Sequence, residues 1–226
     1  MKFADSSLLL YAVTDRTWLS GENTLAAQVE ESVKAGVTFL QLREKHLPFE
    51  TFVKQAKEIK QITDKYHIPF VINDNIEVAI ACDADGIHVG QSDMAAGDVR
   101  ARIGEGKILG VSAQTVEQAI LAEQCGADYL GVGAVFSTST KLDADAVSYD
   151  TLRAICAAVS IPVVAIGGIS RDNILKLAGS GVSGVAVVSA IFAQPDITAA
   201  TIELLELAKR MVYINCLEIN EWEMNI

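Results

Sequence analysis

Apolar, β-branched segments alternate with amphipathic ones along most of the chain. The short apolar runs predict strands at Leu8–Thr14, Thr38–Arg43, Pro69–Asn73, Gly86–Val89, Ile108–Ser112, Tyr129–Val135, Pro162–Ile166 and Gly184–Val188. Helical periodicity between them predicts Thr24–Ala35, Pro48–Tyr66, Ile76–Cys82, Asp98–Ile103, Val116–Cys125, Tyr149–Val159, Arg171–Ala178 and Ile197–Tyr213. The boundaries carry their own signals: Pro48 in a first turn, Thr115 with Gln118 as a capping box, and Gly36, Gly126 and Gly179 just past helix ends. The strand runs are apolar at consecutive positions, as from Asp128 to Phe136, which suits parallel strands covered on both faces. Eight strand–helix units in one chain predict a single (β/α)₈ TIM barrel over residues 1–213. A doubly wound open sheet is the competing architecture, but no GxGxxG turn follows the first strand to support its dinucleotide-binding form. Residues 214–226, ending in LEINEWEMNI, fall outside the repeat and read as a frayed helix or as the contact of a homo-oligomer.

Composition narrows the class. With 226 residues, 50% of them hydrophobic, the chain can bury one large core. Its longest apolar runs, Ile161–Ile169 and Val185–Ala193, are too short to span a bilayer, and Leu8–Val13 lacks a convincing cleavage site, so neither a membrane nor secretion is expected. Cys82, Cys125, Cys156 and Cys216 are scattered without CxxC or Cys/His spacing; they fit core positions in a protein of the reducing cytoplasm and indicate neither zinc nor a disulfide frame. A net charge of −11 argues against a nucleic-acid partner, which needs a basic surface. A small anionic ligand stays compatible, provided that its pocket is locally positive.

The chemistry collects at the predicted carboxyl ends of the strands, where parallel α/β folds bind ligands. After strand two comes Gln41-Leu42-Arg43-Glu44-Lys45, and a period of two puts Gln41, Arg43 and Lys45 on one face. Strand three ends in Asn73-Asp74-Asn75, and strand four leads through His88 to Gln91-Ser92-Asp93. Asp74 and Asp93 each read as a helix cap taken alone; together, opposite two cations, they suit a hard ion such as Mg²⁺ shared with substrate phosphates. Ser112 closes strand five and either bonds a ligand or caps the next helix. After strand six, Ser137, Thr138, Ser139, Thr140 and Lys141 offer four hydroxyls and an ammonium, which suit phosphate oxygens. Gly167-Gly168-Ile169-Ser170 and Val188-Ser189-Ala190 follow strands seven and eight, where phosphate commonly sits in this fold. His88 is taken as a structural histidine.

The motifs QLREK (41–45), IND (72–74), GIHVGQSD (86–93), GVS (110–112), GVGAVFSTSTK (131–141), AIGGI (165–169) and VVSAI (187–191) resemble those of the thiamine phosphate synthase family, in order from about Leu8 to Ala193. That resemblance implies a transferase of thiamine biosynthesis. It would join 4-amino-5-hydroxymethyl-2-methylpyrimidine diphosphate to 4-methyl-5-(2-phosphoethyl)thiazole, or its carboxylated form, giving thiamine monophosphate and pyrophosphate. It also implies that Gln41, Leu42, Arg43, Glu44, Lys45, Asn73, Ser112 and Lys141 hold the pyrimidine diphosphate, with Arg43, Lys45, Ser112 and Lys141 acting in catalysis. Thr138, Ser139, Thr140, Gly168, Val188 and Ser189 would hold the thiazole phosphate, and Asp74 and Asp93 the Mg²⁺. Ser137 stands where many relatives have proline. A thiazole tautomerase of the TenI type, or a non-catalytic phosphate-ligand sensor, are the rival functions; the joint presence of Lys45, Asp74, Asp93 and Lys141 speaks against the tautomerase.

Overall fold

A computed structural model describes residues 3–19, 23–90, 96–137 and 146–223. Eight parallel strands close into a barrel in sequence order: β1 (Leu10–Val13), β2 (Phe39–Leu42), β3 (Phe70–Asn73), β4 (Gly86–Val89), β5 (Ile108–Ala113), β6 (Tyr129–Val132), β7 (Val163–Ile166) and β8 (Gly184–Val187). Closure is made by β8 against β1, with Leu10 opposite Val185 and Ala12 opposite Val187. Every predicted strand is present: β2, β3, β7 and β8 are a residue or two shorter than their apolar runs, β1 and β6 three residues shorter, β4 the same length and β5 one residue longer. The helices are α1 (Leu25–Ala35), α2 (Phe49–Tyr66), α3 (Ile76–Ala81), α4 (Ala96–Ile103), α5 (Val116–Gln124), α6 (Tyr149–Ala158), α7 (Ser189–Phe192) and α8 (Ile197–Glu223).

Both faces of the strands are buried, for different reasons. Leu10, Leu40, Leu42, Phe70, Ile72, Leu130 and Val185 point outward and pack with the helix faces in one large core. Tyr11, Val13, Phe39, Val71, Tyr129, Val164 and Ala186 point inward and fill the barrel. This double burial explains why the strands read as continuous apolar runs. The inner layer mixes aromatic rings on β1, β2 and β6 with glycine or alanine on neighbouring strands, so large side chains occupy the space small ones leave. Tyr11 and Phe39 have ring centroids 4.6 Å apart, Phe39 and Tyr129 5.5 Å, and Phe3 closes over both Phe39 and Tyr129.

Three departures from the sequence pattern have local causes. The segment Arg171–Ala178 has the periodicity of a helix but forms only a 3₁₀ turn, Ile174–Leu177. There Asn173 accepts from Ser170 N and donates to Gly168 O, and this side chain holds the backbone in a turn where a helix would otherwise start. Strand six stops at Val132, although Val135 N and Phe136 N still donate to Ile166 O and Gly167 O, so the chain follows the end of β7 outside the regular ladder. The last helix runs on past Tyr213 to Glu223, with Asn215 buried: its side chain accepts from Gly179 N at 2.6 Å and donates to Val182 O at 2.8 Å.

Candidate active site

A cavity of about 840 Å³ opens at the carboxyl ends of the strands. A smaller groove of about 540 Å³ lies at the opposite end, lined by residues such as Pro69, Asp85 and Ile108 that precede or begin strands. The chemistry belongs to the larger one, because the polar segments singled out after the strands converge on it. Gln41, Arg43, Glu44 and Lys45 all line it, and so do Asn73, Asp74, Ser112, Gly168, Val188 and Ser189. β2 ends at Leu42, so the period of two accounts for Gln41, while the segment after the strand carries Arg43, Glu44 and Lys45 to the mouth. Leu42 does not: it is fully buried on the outer face, among the residues packed against the helices. Asp93, Thr138, Ser139, Thr140 and Lys141 lie outside the described residues.

The charges at the mouth are held in pairs. Arg43 is mostly buried, and its Nη1 lies 3.3 Å from Asp15 Oδ2, on the segment after β1. Its backbone N–H donates to Thr14 Oγ1 at 3.0 Å, which fixes the point where the chain leaves β2. Burial alone would raise the Asp15 carboxyl, but hydrogen bonds from Thr17 and the charges of Arg43 and Lys45 outweigh it and hold the group below its ordinary range. Glu44 turns away from its neighbours toward Arg16, whose Nε lies 2.7 and 2.9 Å from the two carboxylate oxygens. Its side chain is 4% exposed, and desolvation pushes its carboxyl upward despite the arginine. Glu44 thus reads as a structural partner of Arg16, itself tied to Gln55, more than as a ligand contact.

The end of β3 decides between the two roles open to Asp74. The N-cap of α3 is Asn75, whose Oδ1 accepts from Val78 N at 2.9 Å. The cap position is therefore filled, and Asp74 lines the cavity with its carboxylate accepting from Asn73 Nδ2. Its backbone sits at φ 61°, a left-handed conformation costly for a residue with a Cβ. Asp74 N donates to His88 O at 2.8 Å, which anchors this turn to β4. Among the described residues no group of three His, Cys, Asp or Glu stands ready to hold a metal. One carboxylate flanked by two amides in an open mouth does fit a hard cation that takes its remaining ligands from water and phosphate. The same question for Ser112 is settled by Thr115, which caps α5 through Gln118 N at 3.2 Å. The Gln118 side chain accepts from Gln114 N at 2.7 Å, one residue beyond the Thr115 N of the expected capping box. Ser112 is left to line the cavity.

Gly168 has φ 65°, and a Cβ there would come 2.3 Å from Ser137 O, so only glycine lets the segments after β6 and β7 approach so closely. Among the cavity residues that the sequence pattern does not single out are Tyr11, Gln114 and Ile166. His88, a structural histidine by its sequence pattern, does have polar partners in Tyr129 and Ser112, but it also forms part of the cavity wall. Its inward register beside Asn73 was the available signal.

The fold and the cation-bearing mouth define a (β/α)₈ enzyme that handles phosphate-bearing ligands. Residues 10–191 match the family model described as "Thiamine monophosphate synthase". The chain is 54% identical over 198 residues, 88% of its length and 94% of the relative's, to a thiamine-phosphate synthase of Ruminiclostridium cellulolyticum, and 51% identical over 195 residues to that of Clostridium tetani, covering 86% and 93%. The solved structure of thiamine phosphate pyrophosphorylase from Pyrococcus furiosus superimposes with a TM-score of 0.85 at 37% identity, covering 92% of this chain and 98% of that one. The chain belongs to the thiamine monophosphate synthase family.

Proposed function

We propose that this chain couples 4-amino-5-hydroxymethyl-2-methylpyrimidine diphosphate to 4-methyl-5-(2-phosphoethyl)thiazole, or its carboxylated form, releasing thiamine monophosphate and pyrophosphate, and carbon dioxide as well from the carboxylated form. The observation that carries this assignment is the convergence of Gln41, Arg43, Lys45, Asn73, Asp74 and Ser112 on one cavity, with Gly168 and Ser189 on its other side. The cationic side would take the diphosphate, and the glycine-rich side the phosphate of the thiazole. The bond that breaks joins the pyrimidine methylene carbon to the diphosphate oxygen, which keeps the electron pair. Arg43 and Lys45 stabilise the charge that gathers there, and Asp15 keeps the guanidinium oriented before the ligand arrives. The aminopyrimidine delocalises the methylene cation, and the thiazole nitrogen then supplies the pair for the new carbon–nitrogen bond. No enzyme nucleophile is needed, and with the uncarboxylated thiazole no proton transfer; the carboxylated form must in addition lose carbon dioxide and take up a proton at the ring carbon that carried it. Asp74, with Asp93, would hold Mg²⁺, which when bound supplies further neutralisation of the leaving diphosphate. Lys141 and Thr138–Thr140 complete the two subsites in this assignment.

Cys82, Cys125 and Cys156 are free thiols, and no helix among the described residues is long and apolar enough to cross a membrane, which supports a place in the reducing cytoplasm. The test is a turnover assay with both substrates, with Mg²⁺ and after chelation. Metal-dependent formation of thiamine monophosphate and pyrophosphate is expected. Binding of either substrate without turnover would favour a phosphate-ligand sensor, and thiazole isomerisation without coupling would favour a tautomerase.

A further inference from the structure

Five polar side chains from five strands form a continuous line across the cavity floor. Gln41 Nε2 donates to the Tyr11 hydroxyl, which lies 2.8 Å from the Tyr129 hydroxyl. Tyr129 Oη in turn lies 2.9 Å from His88 Nδ1, and His88 Nε2 lies 3.0 Å from Ser112 Oγ. The line can form because Gly110 separates His88 from Tyr129 in the strand register. A Cβ at position 110 would come 2.3 Å from Tyr129 Oη and 2.5 Å from His88 Nδ1. Both phenols are completely buried, and desolvation pushes their ionisation upward, so each hydroxyl has one proton to give.

Proton counting orders the line. An amide nitrogen only donates, so Tyr11 Oη accepts from Gln41 and its own proton goes to Tyr129 Oη. Tyr129 Oη, having accepted from Tyr11, gives its proton to His88 Nδ1. A proton already on Nδ1, in the other tautomer or in the imidazolium, would place two hydrogens between the same two atoms. The ring therefore carries its proton on Nε2 and donates it to Ser112 Oγ. The serine hydroxyl directs its own proton to an acceptor other than His88. With the Gln41 amide reversed every bond inverts, and Ser112 would donate to His88 and offer a ligand only a lone pair.

We propose that Gln41, Tyr11, Tyr129 and His88 form a one-way hydrogen-bond relay that holds His88 as its Nε2–H tautomer and makes Ser112 a hydrogen-bond donor in the cavity. Tyr11, Tyr129 and His88 are then positioning residues for the coupling reaction, a role that rests on the mouth binding the pyrimidine diphosphate as proposed above. A donor at Ser112 suits a ring nitrogen or a phosphate oxygen of that substrate, whereas the inverted relay would turn a lone pair toward either.

The chain has three histidines, so His46→Gln with His67→Gln leaves His88 as the one ring in a histidine-labelled sample. Long-range ¹H–¹⁵N NMR then reads its tautomer without any substrate. The expected spectrum shows a protonated Nε2 and an unprotonated Nδ1; protonated Nδ1 would overturn the relay. Tyr129→Phe removes the donor to Nδ1 and should populate both tautomers, and an unchanged tautomer would reduce Tyr129 to a space-filling role. Should that variant fold poorly, Tyr11→Phe provides the second measurement: it leaves the Tyr129–His88 bond but frees its direction, so some Nδ1–H form should appear, and none would count against the relay. In steady state, Tyr129→Phe should raise KM for the pyrimidine diphosphate about five- to tenfold and leave KM for the thiazole phosphate unchanged. An unchanged KM for the first substrate would refute the positioning role. Absence of coupling in the parent enzyme would remove the proposed function, and with it the positioning role, while the tautomer would still decide the relay itself.

Discussion

Gly110→Ala puts one methyl group into the most crowded part of the barrel interior, and its cost can be worked out from the geometry. The new Cβ would meet Tyr129 Cζ at 2.2 Å and His88 Nδ1 at 2.5 Å. Non-bonded carbon atoms rest about 3.5–4.0 Å apart, so the phenol and the imidazole would have to move by more than about 1 Å. The phenol has little room, since Phe3, Phe39 and Tyr11 all pack against it. Overpacking of this kind costs about 1–3 kcal/mol. The Tyr11–Tyr129 and Tyr129–His88 hydrogen bonds would be stretched or lost, at about 0.5–1.5 kcal/mol each. Together these give roughly 2–6 kcal/mol of destabilisation. Urea unfolding followed by circular dichroism should show a midpoint lowered by roughly 1 M or more with an unchanged slope. Turnover should fall with it, because a displaced His88 disturbs the 3.0 Å contact that it makes with Ser112. Gly106→Ala, where a Cβ would meet nothing within 4 Å, is the matched control and should change stability by no more than about 0.5 kcal/mol. A Gly110→Ala protein with the parent midpoint and full activity would show that the interior is not packed as described.

Four further outcomes are expected. Asp74→Asn should lower turnover about a hundredfold or more and weaken Mg²⁺ dependence in steady-state assays, while thermal unfolding stays close to that of the parent. Asn75→Ala removes the cap of α3 and should cost about 1 kcal/mol in chemical denaturation. Arg100→Ala should destabilise by about 3 kcal/mol in the same assay: it deprives Asp128 of a partner at 2.7 Å and leaves the carbonyls of Gly104, Lys107 and Gly126 without a donor, far from the cavity. Hydrogen bonds from Lys65 and Tyr66 lower the Glu30 carboxyl from 4.5 to about 2, so its contribution to stability is present above about pH 4.5 and is lost as pH falls toward 2. Lys65→Ala should return the Glu30 titration, followed by NMR, toward the ordinary glutamate range.

The sequence by itself determined the barrel and much of its mouth. Unit order, helix faces and strand runs depend on local periodicity, which neighbouring residues carry, and all eight strands formed where the pattern put them. The strand period was enough to turn Gln41 toward the cavity, because side-chain direction along a strand follows from backbone geometry alone, whereas Arg43, Glu44 and Lys45 lie past the end of β2 and all three reach the mouth. Tertiary structure decided what contacts those side chains make. That Arg43 is held by Asp15, that Glu44 turns to Arg16, and that Asn75 takes the cap and leaves Asp74 to the cavity are pairings between elements, or choices between adjacent residues with the same capping chemistry. Local pattern could not rank them. The line from Gln41 to Ser112 is the clearest case: its members come from five different strands, and each looks like an ordinary core or strand-end residue in its own segment. Only closure of the barrel, with a glycine at position 110 leaving room between two rings, brings them within hydrogen-bonding distance, because hydrogen bonds depend on positions in space that no single segment specifies.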